Sequence, residues 1–208
     1  MDSAHAQTGL APSAEVTIEF TNPGVSPSHW ILTLHPDGSG HFHSERGNPA
    51  GANPKAMDVP EVDRDIQLQP GFAASAFETA RQNKWFKVQC ESHQRVAFEG
   101  WKKLSYSGPE GQGSCTFNYS HEKEIQALGD SLVGVEETLT EGARLEMLLE
   151  HDRLGLDQEM QAICERAKDG RMQQIFAIRE ILERLSNDGE VLDRVKKRAK
   201  ELLAQAGA

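Results

Sequence analysis

The chain has 208 residues, of which 22 are lysine or arginine and 32 are aspartate or glutamate, so its net charge is −10 with neutral histidines. This acidic balance argues against general binding to nucleic acid or to anionic membranes, since both reward a basic surface. Hydrophobic residues make up 38% of the chain, and no apolar run reaches the roughly 18 residues that a membrane-spanning helix needs. We therefore expect a folded protein without a transmembrane segment, long enough for one large or two small domains.

The first residues suggest export. Ala4-His5-Ala6, followed by Gln7, has the small-x-small form of a signal-peptidase cleavage site, although no charged start and apolar stretch precede it. We interpret residues 1–14 as a disordered remnant of an export signal, which predicts a periplasmic or secreted protein. The alternative is a short disordered tail that happens to contain alanines.

The composition changes near Ser120. All nine prolines and twelve of the thirteen aromatic residues precede this position, and Phe176 alone follows it. Prolines and aromatic residues are typical of turns and strands. The sequence predicts an α+β fold, with an antiparallel sheet and one or two packed helices over residues 15–120 and an all-helical hairpin or bundle over residues 121–208.

The first part contains several strand patterns and one helical pattern. Alternating apolar residues predict a strand in AEVTIEF and a hairpin in HWILTLHPDGSGHFHS. A long Pro- and Gly-containing loop then precedes a short strand, DIQLQP, and a helix in GFAASAFETARQN, with Phe72, Ala76 and Ala80 on one face. Further strands are predicted in KWFKVQC, RVAFEG, KKLSYS and SCTFNYS, the last two joined by a GPEGQG turn.

This order of elements resembles that of uncharacterised secreted or periplasmic bacterial domains of unknown function. The resemblance rests on the WILTLHPDGSG hairpin, on FETARQNKWF and on the LSYSGPEGQGSCTFNYS pair. It covers about half of the chain and implies export and a sheet domain, but no activity.

The second part has helical spacing throughout. Ser120 is expected to cap a helix that runs to about Leu149, with a buried stripe at Ile125, Leu128, Leu132, Val135 and Leu139. Gly134 and Gly142 interrupt this helix at a tolerable cost of about 1 kcal/mol each. Three further apolar stripes predict shorter helices, and the residues concerned are Leu156, Met160, Ile163 and Ala167, then Ile175, Ile178, Leu182 and Leu185, then Val191, Val195, Ala199 and Leu202.

The three cysteines allow one disulfide. Cys90 and Cys115 lie on the apolar faces of two predicted strands, where they could form a bridge in an oxidising compartment. The alternative is two buried free thiols. Cys164 lies in a helical stripe and is expected to be packed. No C-x-x-C pair is present, so the sequence offers neither a thioredoxin-type redox site nor a zinc knuckle.

The hairpin carries three histidines that are candidate metal ligands. An odd loop, with Gly38 or Gly40 at positive φ, would place His35 opposite His41 and Leu34 opposite Phe42. His35, His41 and His43 would then share a face, with directly opposed Cβ atoms about 5 Å apart, and could bind Zn²⁺ or Cu²⁺. The alternative is an ordinary solvated hairpin face.

Signatures of enzymes are missing from the sequence. HEKEI at 121–125 has an isoleucine where a zinc protease needs its second histidine, and no nucleophile elbow, phosphate loop or dinucleotide fingerprint occurs. Glu146 and Glu150 lie one helical turn apart, as acid–base pairs can. Because acidic residues continue along this helix, a solvated face explains them better.

Three functions remain as hypotheses. The first is an exported, non-enzymatic binding or scaffold protein whose partner is another protein or a component of the cell envelope. The second is a transition-metal-binding protein that uses the hairpin histidines. The third is a hydrolase whose site is assembled from distant residues, since fold does not reveal function.

Overall fold

The computed structural model describes residues 13–47 and 59–207. Within these ranges six strands form one antiparallel sheet of order β4-β3-β2-β1-β5-β6. The strands are β1 (Glu15–Thr21), β2 (His29–Leu34), β3 (Ser39–Ser44), β4 (Val62–Gln67), β5 (Trp101–Gly108) and β6 (Gly111–Phe117). The helices are α1 (Pro70–Gln82), α2 (Lys123–His151), α3 (Leu156–Lys168), α4 (Arg179–Asn187) and α5 (Asp193–Ala206).

The predicted α+β class is confirmed. The sheet is antiparallel, and helices α2 to α5 follow it in the chain. No helix within the described ranges has the length and apolar character needed to cross a membrane. Residues 1–12 of the predicted tail and residues 48–58 of the predicted long loop lie outside the described part of the chain.

Two predicted strands are absent. KWFKVQC begins with a 3₁₀ turn, Lys84–Phe86, whose three residues all have positive φ. The ring of Trp85 stacks on Tyr106 with 4.5 Å between the centroids, so aromatic packing holds this turn against the sheet. Phe86 and Cys90 are still buried. The apolar positions of this segment therefore mark burial, and the strand assignment was wrong.

RVAFEG is the second missing strand. Its backbone bonds to a side chain and not to a neighbouring strand, because Asn118 Oδ1 accepts from the N–H of Glu99 at 2.8 Å and Asn118 Nδ2 donates to the carbonyl of Ala97 at 3.0 Å. Phe98 is left exposed and makes an edge contact with Trp101. The apolar–polar alternation of this segment matched a strand without the pairing that defines one.

Helix α2 joins the two parts of the molecule. It begins at Lys123, slightly later than predicted, and Ser120 Oγ accepts from the N–H of Glu122 just before it. The predicted stripe is buried, and it packs with the sheet and α1 in one hydrophobic cluster that ends at Ala143. From Leu145 onward the same helix packs with α3, α4 and α5 in a second cluster. The chain therefore becomes helical near residue 120, but it passes from the first hydrophobic cluster to the second only between Ala143 and Leu145.

A row of small residues lets another segment approach α2 closely. Gly134, Thr138 and Gly142 follow one another at spacings of four, and Thr138 Oγ1 donates to the carbonyl of Gln173 at 2.7 Å. A Cβ on Gly142 would overlap the side chain of Ile178. The two glycines that the sequence presents as helix defects are therefore packing positions.

Candidate functional site

The histidine hairpin has a shorter loop than predicted. The N–H of His35 bonds to the carbonyl of Ser39 at 2.8 Å, which leaves three loop residues, and Gly38 has φ +86° as expected for an odd loop. Thr33 is therefore opposite His41. The predicted pairing of His35 with His41 is wrong by two residues, because the loop has three residues and not five. A register shift of two residues leaves every side chain on the same face of the sheet. The apolar residues and the histidines of the hairpin therefore lie on opposite faces, as predicted.

Two of the three candidate ligands lie close to aspartates of β4. His41 Nδ1 is 3.0 Å from Asp65, and His43 Nδ1 is 2.9 Å from Asp63. His41 Nε2 lies 3.3 Å from the other oxygen of Asp63. His35 instead lies 3.4 Å from the carbonyl of Ala14. The structure thus brings His41 and His43 together with two aspartates and does not bring His35 to them.

Metal binding at these histidines stays a prediction. Among residues 13–47 and 59–207, no group of three or more His, Cys, Asp or Glu side chains is arranged to hold a metal ion. The exposed histidine face is equally explained by cross-strand hydrogen bonds to the aspartates of β4.

The disulfide between Cys90 and Cys115 is present, and the alternative of two free thiols is excluded. It ties the segment after the 3₁₀ turn to β6. Next to the disulfide in sequence, the N–H of Asn118 donates to Glu91 at 2.7 Å, so a hydrogen bond also joins the segment that contains Cys90 to the end of β6. Cys164 of α3 is a half-buried free thiol.

A cleft of about 780 Å³ lies between the sheet and α2 and is a candidate site. One wall comes from β1, the loop after it and the start of β5, and the other from α2 with the end of α3. Apolar side chains at Phe20, Val25, Pro27, Trp30 and Val133 line part of it. We refer to this space as the cleft.

Three of the side chains that line the cleft are glutamates of α2. Glu136, Glu137 and Glu141 all line it, and we call them the acidic floor. Glu136 is only 9% exposed, and Thr140 Oγ1 donates to its carboxylate at 2.7 Å. No cation forms an ion pair with Glu136 within the described residues. Burial raises the pKa of Glu136 to about 7.

Glu141 belongs to a network with two arginines. Its Oε1 is 3.0 Å from Nη2 of Arg166, whose Nε lies 3.3 Å from Glu137. Its Oε2 is buried without a hydrogen-bond partner, since Arg144 Nε is 3.6 Å away and does not make a hydrogen bond. Burial, and then the neighbouring carboxyl of Glu159, raise the pKa of Glu141 to about 8.

A buried lysine faces the acidic floor from the sheet. Lys102 is 3% exposed, and its Nζ donates to the carbonyl of Asn118 at 3.3 Å and lies 5.7 Å from the centre of the Phe117 ring. Its nearest carboxylate is Asp130, at 3.7 Å. This ammonium group is therefore engaged by the sheet and by Asp130.

The acidic floor escaped the sequence analysis because it lies on the helix that carries the acidic run. Glu146, which looked like half of a carboxylate pair, instead forms a two-pronged ion pair with Arg64 of β4, while Glu150 is exposed. The sequence carries no local signal that separates the buried Glu136 and Glu141 from the exposed Glu150 of the same helix.

The cleft can accept hydrogen bonds and positive charge. The described residues that line it include neither histidine nor cysteine, and the hydroxyl of Ser26 donates to the carbonyl of Gly47. The hydrolase hypothesis gains no nucleophile–base pair here and stays a prediction. No protein-family model and no curated protein matches this chain.

Proposed function

We propose that this protein is an exported, non-enzymatic binding protein, and that the cleft is the site at which it holds a segment of a partner protein. The observation that carries the proposal is the cleft itself, in which an apolar wall faces carboxyl groups that are removed from water. Binding sites typically combine apolar surface with a few fixed polar groups.

The surroundings of the cleft favour a macromolecular partner. Val25 lines the cleft and is exposed, and Glu99, which also lines it, directly follows the exposed Phe98. Phe98 and the exposed Trp101 contact each other edge to face, with 5.8 Å between the ring centroids. Exposed aromatic residues beside a cleft are typical of protein-binding surfaces.

The disulfide supports export. Bridges between buried cysteines persist in oxidising compartments and are rare in the reducing cytosol. The Cys90–Cys115 bridge therefore favours the periplasm or the exterior.

Selection from a displayed peptide library tests the proposal. Purified protein with its disulfide intact serves as bait, and the enriched peptides are measured against Val133→Trp, which fills the cleft, and against Ser114→Trp, a control on the exposed face of β6. We expect affinity to fall by at least about tenfold in V133W and to stay unchanged in S114W. Equal binding to both variants, or no enrichment, would contradict the proposal. Circular dichroism confirms that V133W is folded.

A further inference from the structure

We infer that the acidic floor takes a cationic side chain of the bound segment, of the guanidinium or amidinium type, with its apolar stem against the wall of the cleft. This inference rests on the proposed binding function and names the chemistry of the anchor.

The balance of charge in and beside the acidic floor leaves room for a cation. Three carboxyl groups, those of Glu137, Glu141 and Glu159, share the two guanidinium groups of Arg144 and Arg166. Both arginines are committed to Glu137, Glu141 and Glu159. Glu136 takes no part in this network.

Two carboxyl groups retain unused acceptor capacity. Glu141 is a 7% exposed residue of the cleft lining, and its buried Oε2 has no hydrogen-bond donor in the described part of the chain; Nε of Arg144, which also lacks a partner, lies 3.6 Å from it. Glu136 receives one hydrogen bond, from Thr140, and it comes from a neutral hydroxyl. Buried carboxyl groups normally have strong partners, so Glu136, which lines the cleft without a cation of its own among the described residues, has capacity for a charged donor brought by a ligand.

The shape of the site favours an organic cation over a metal ion. Phe20, Val25, Pro27 and Val133 line the approach, and apolar side chains stabilise an alkyl or aromatic stem while offering nothing to a hydrated metal. A planar guanidinium or amidinium carries several donors and can serve carboxylates at different positions.

Binding should be linked to proton release. Burial holds the pKa of Glu136 near 7 and that of Glu141 near 8, and a cation favours the ionised forms. The charged groups that face these two carboxyls are, from α2, Asp130, Glu137 and Arg144; from α3, Glu159 and Arg166; from the segment after α3, Arg171; and from the sheet side, Glu99 and Lys102. Each cation among them already has an oxygen partner. Arg144 and Arg166 pair with the glutamates of α2 and α3, Lys102 contacts Asp130 and a carbonyl of the sheet, and Arg171 pairs with Asp169.

Benzamidine provides a probe with an aromatic stem and a cationic head, and benzamide is its neutral analogue. Titration calorimetry of the full chain should show benzamidine binding and no benzamide binding. Glu136→Gln keeps the acceptor for Thr140 and should weaken benzamidine binding by about tenfold, whereas Glu150→Gln, on the exposed side of the same helix, should not change it.

The pH dependence separates this inference from a merely structural role of Glu136. Affinity for benzamidine should rise about tenfold from pH 6 to pH 8 in the wild type, with protons released on binding, and the rise should shrink in E136Q. Equal binding of benzamide, unchanged affinity in E136Q, or affinity that falls with pH would each overturn the inference. If displayed peptides bind the cleft but none depends on Glu136, this inference fails while the proposed function stands.

Discussion

Thr140 donates a hydrogen bond of 2.7 Å to the carboxylate of Glu136, one turn earlier on α2, and this hydroxyl is the polar partner of a carboxyl group that is almost fully buried. A hydroxyl offsets part of the cost of burying a charge, whereas a cation would offset much more. The pKa of Glu136 is accordingly raised from 4.5 to about 7.

This raised pKa predicts that stability falls as pH rises. Below pH 4.5 Glu136 is protonated in both states and contributes no pH dependence. Between about pH 4.5 and 7 the unfolded chain ionises this carboxyl before the folded protein does, so the free energy of unfolding should drop by about 3 kcal/mol. Glu141, with its pKa near 8, extends the fall.

Urea denaturation at pH 5 and pH 8 checks this prediction. Glu136→Gln should match the wild type at pH 5 and exceed its stability at pH 8, because glutamine stays neutral. Glu150→Gln, which is exposed, serves as the control. A stability difference between E136Q and wild type that is the same at both pH values would show that Glu136 does not titrate as described.

Gly142→Ala should destabilise the protein although alanine is the better helix former. Alanine gains about 1 kcal/mol in an exposed helix, but its Cβ would overlap Ile178 here, and overpacking typically costs about 1–3 kcal/mol. Gly71→Ala in α1, where nothing lies within 4 Å of the added Cβ, is the matched control and should be neutral or stabilising. Thermal denaturation of both variants measures the difference, and a higher melting temperature for G142A would refute the close approach.

Removal of the disulfide should lower the free energy of unfolding by about 3 kcal/mol, as expected for a bridge between residues 25 apart in sequence. The comparison is between wild type and a Cys90→Ala, Cys115→Ala variant in urea. Cys164→Ala, which leaves the bridge intact, is the control. An unchanged urea midpoint in the double variant would mean that the bridge does not constrain the unfolded chain, and mass spectrometry without reductant reports whether it forms in the native protein.

The ion pair between Arg64 and Glu146 should contribute a measurable coupling. Both guanidinium nitrogens reach the carboxylate, at 3.0 and 2.7 Å, and they join β4 to the second half of α2. Because both side chains are about one-third exposed, solvent screens the pair, and we expect a coupling of about 1 kcal/mol. A double-mutant cycle with Arg64→Ala and Glu146→Ala measures it. Additive single effects would show that the pair does not hold the two elements together.

Part of the fold could be predicted because burial leaves a local trace in the sequence. The alternation in AEVTIEF and the stripe from Ile125 to Leu139 each follow the repeat of one element, and the strand and helix are where these patterns predict them. KWFKVQC and RVAFEG show the limit of that signal. In KWFKVQC the apolar positions Phe86 and Cys90 are buried, whereas Val96 and Phe98 of RVAFEG are exposed. A strand also needs a hydrogen-bonded neighbour, and in RVAFEG the side chain of Asn118 takes that place.

The sequence by itself determined the α+β class and the sorting of the hairpin faces, because each depends on a short-range period. It left the Cys90–Cys115 bridge open against two free thiols, and the tertiary structure decided for the bridge. Only the tertiary structure decided the two-residue shift of the hairpin, the role of Gly142 and the burial of Glu136. These depend on contacts between residues far apart in the chain. An exposed glutamate and a buried one look alike along a helix until the neighbouring elements have packed against it.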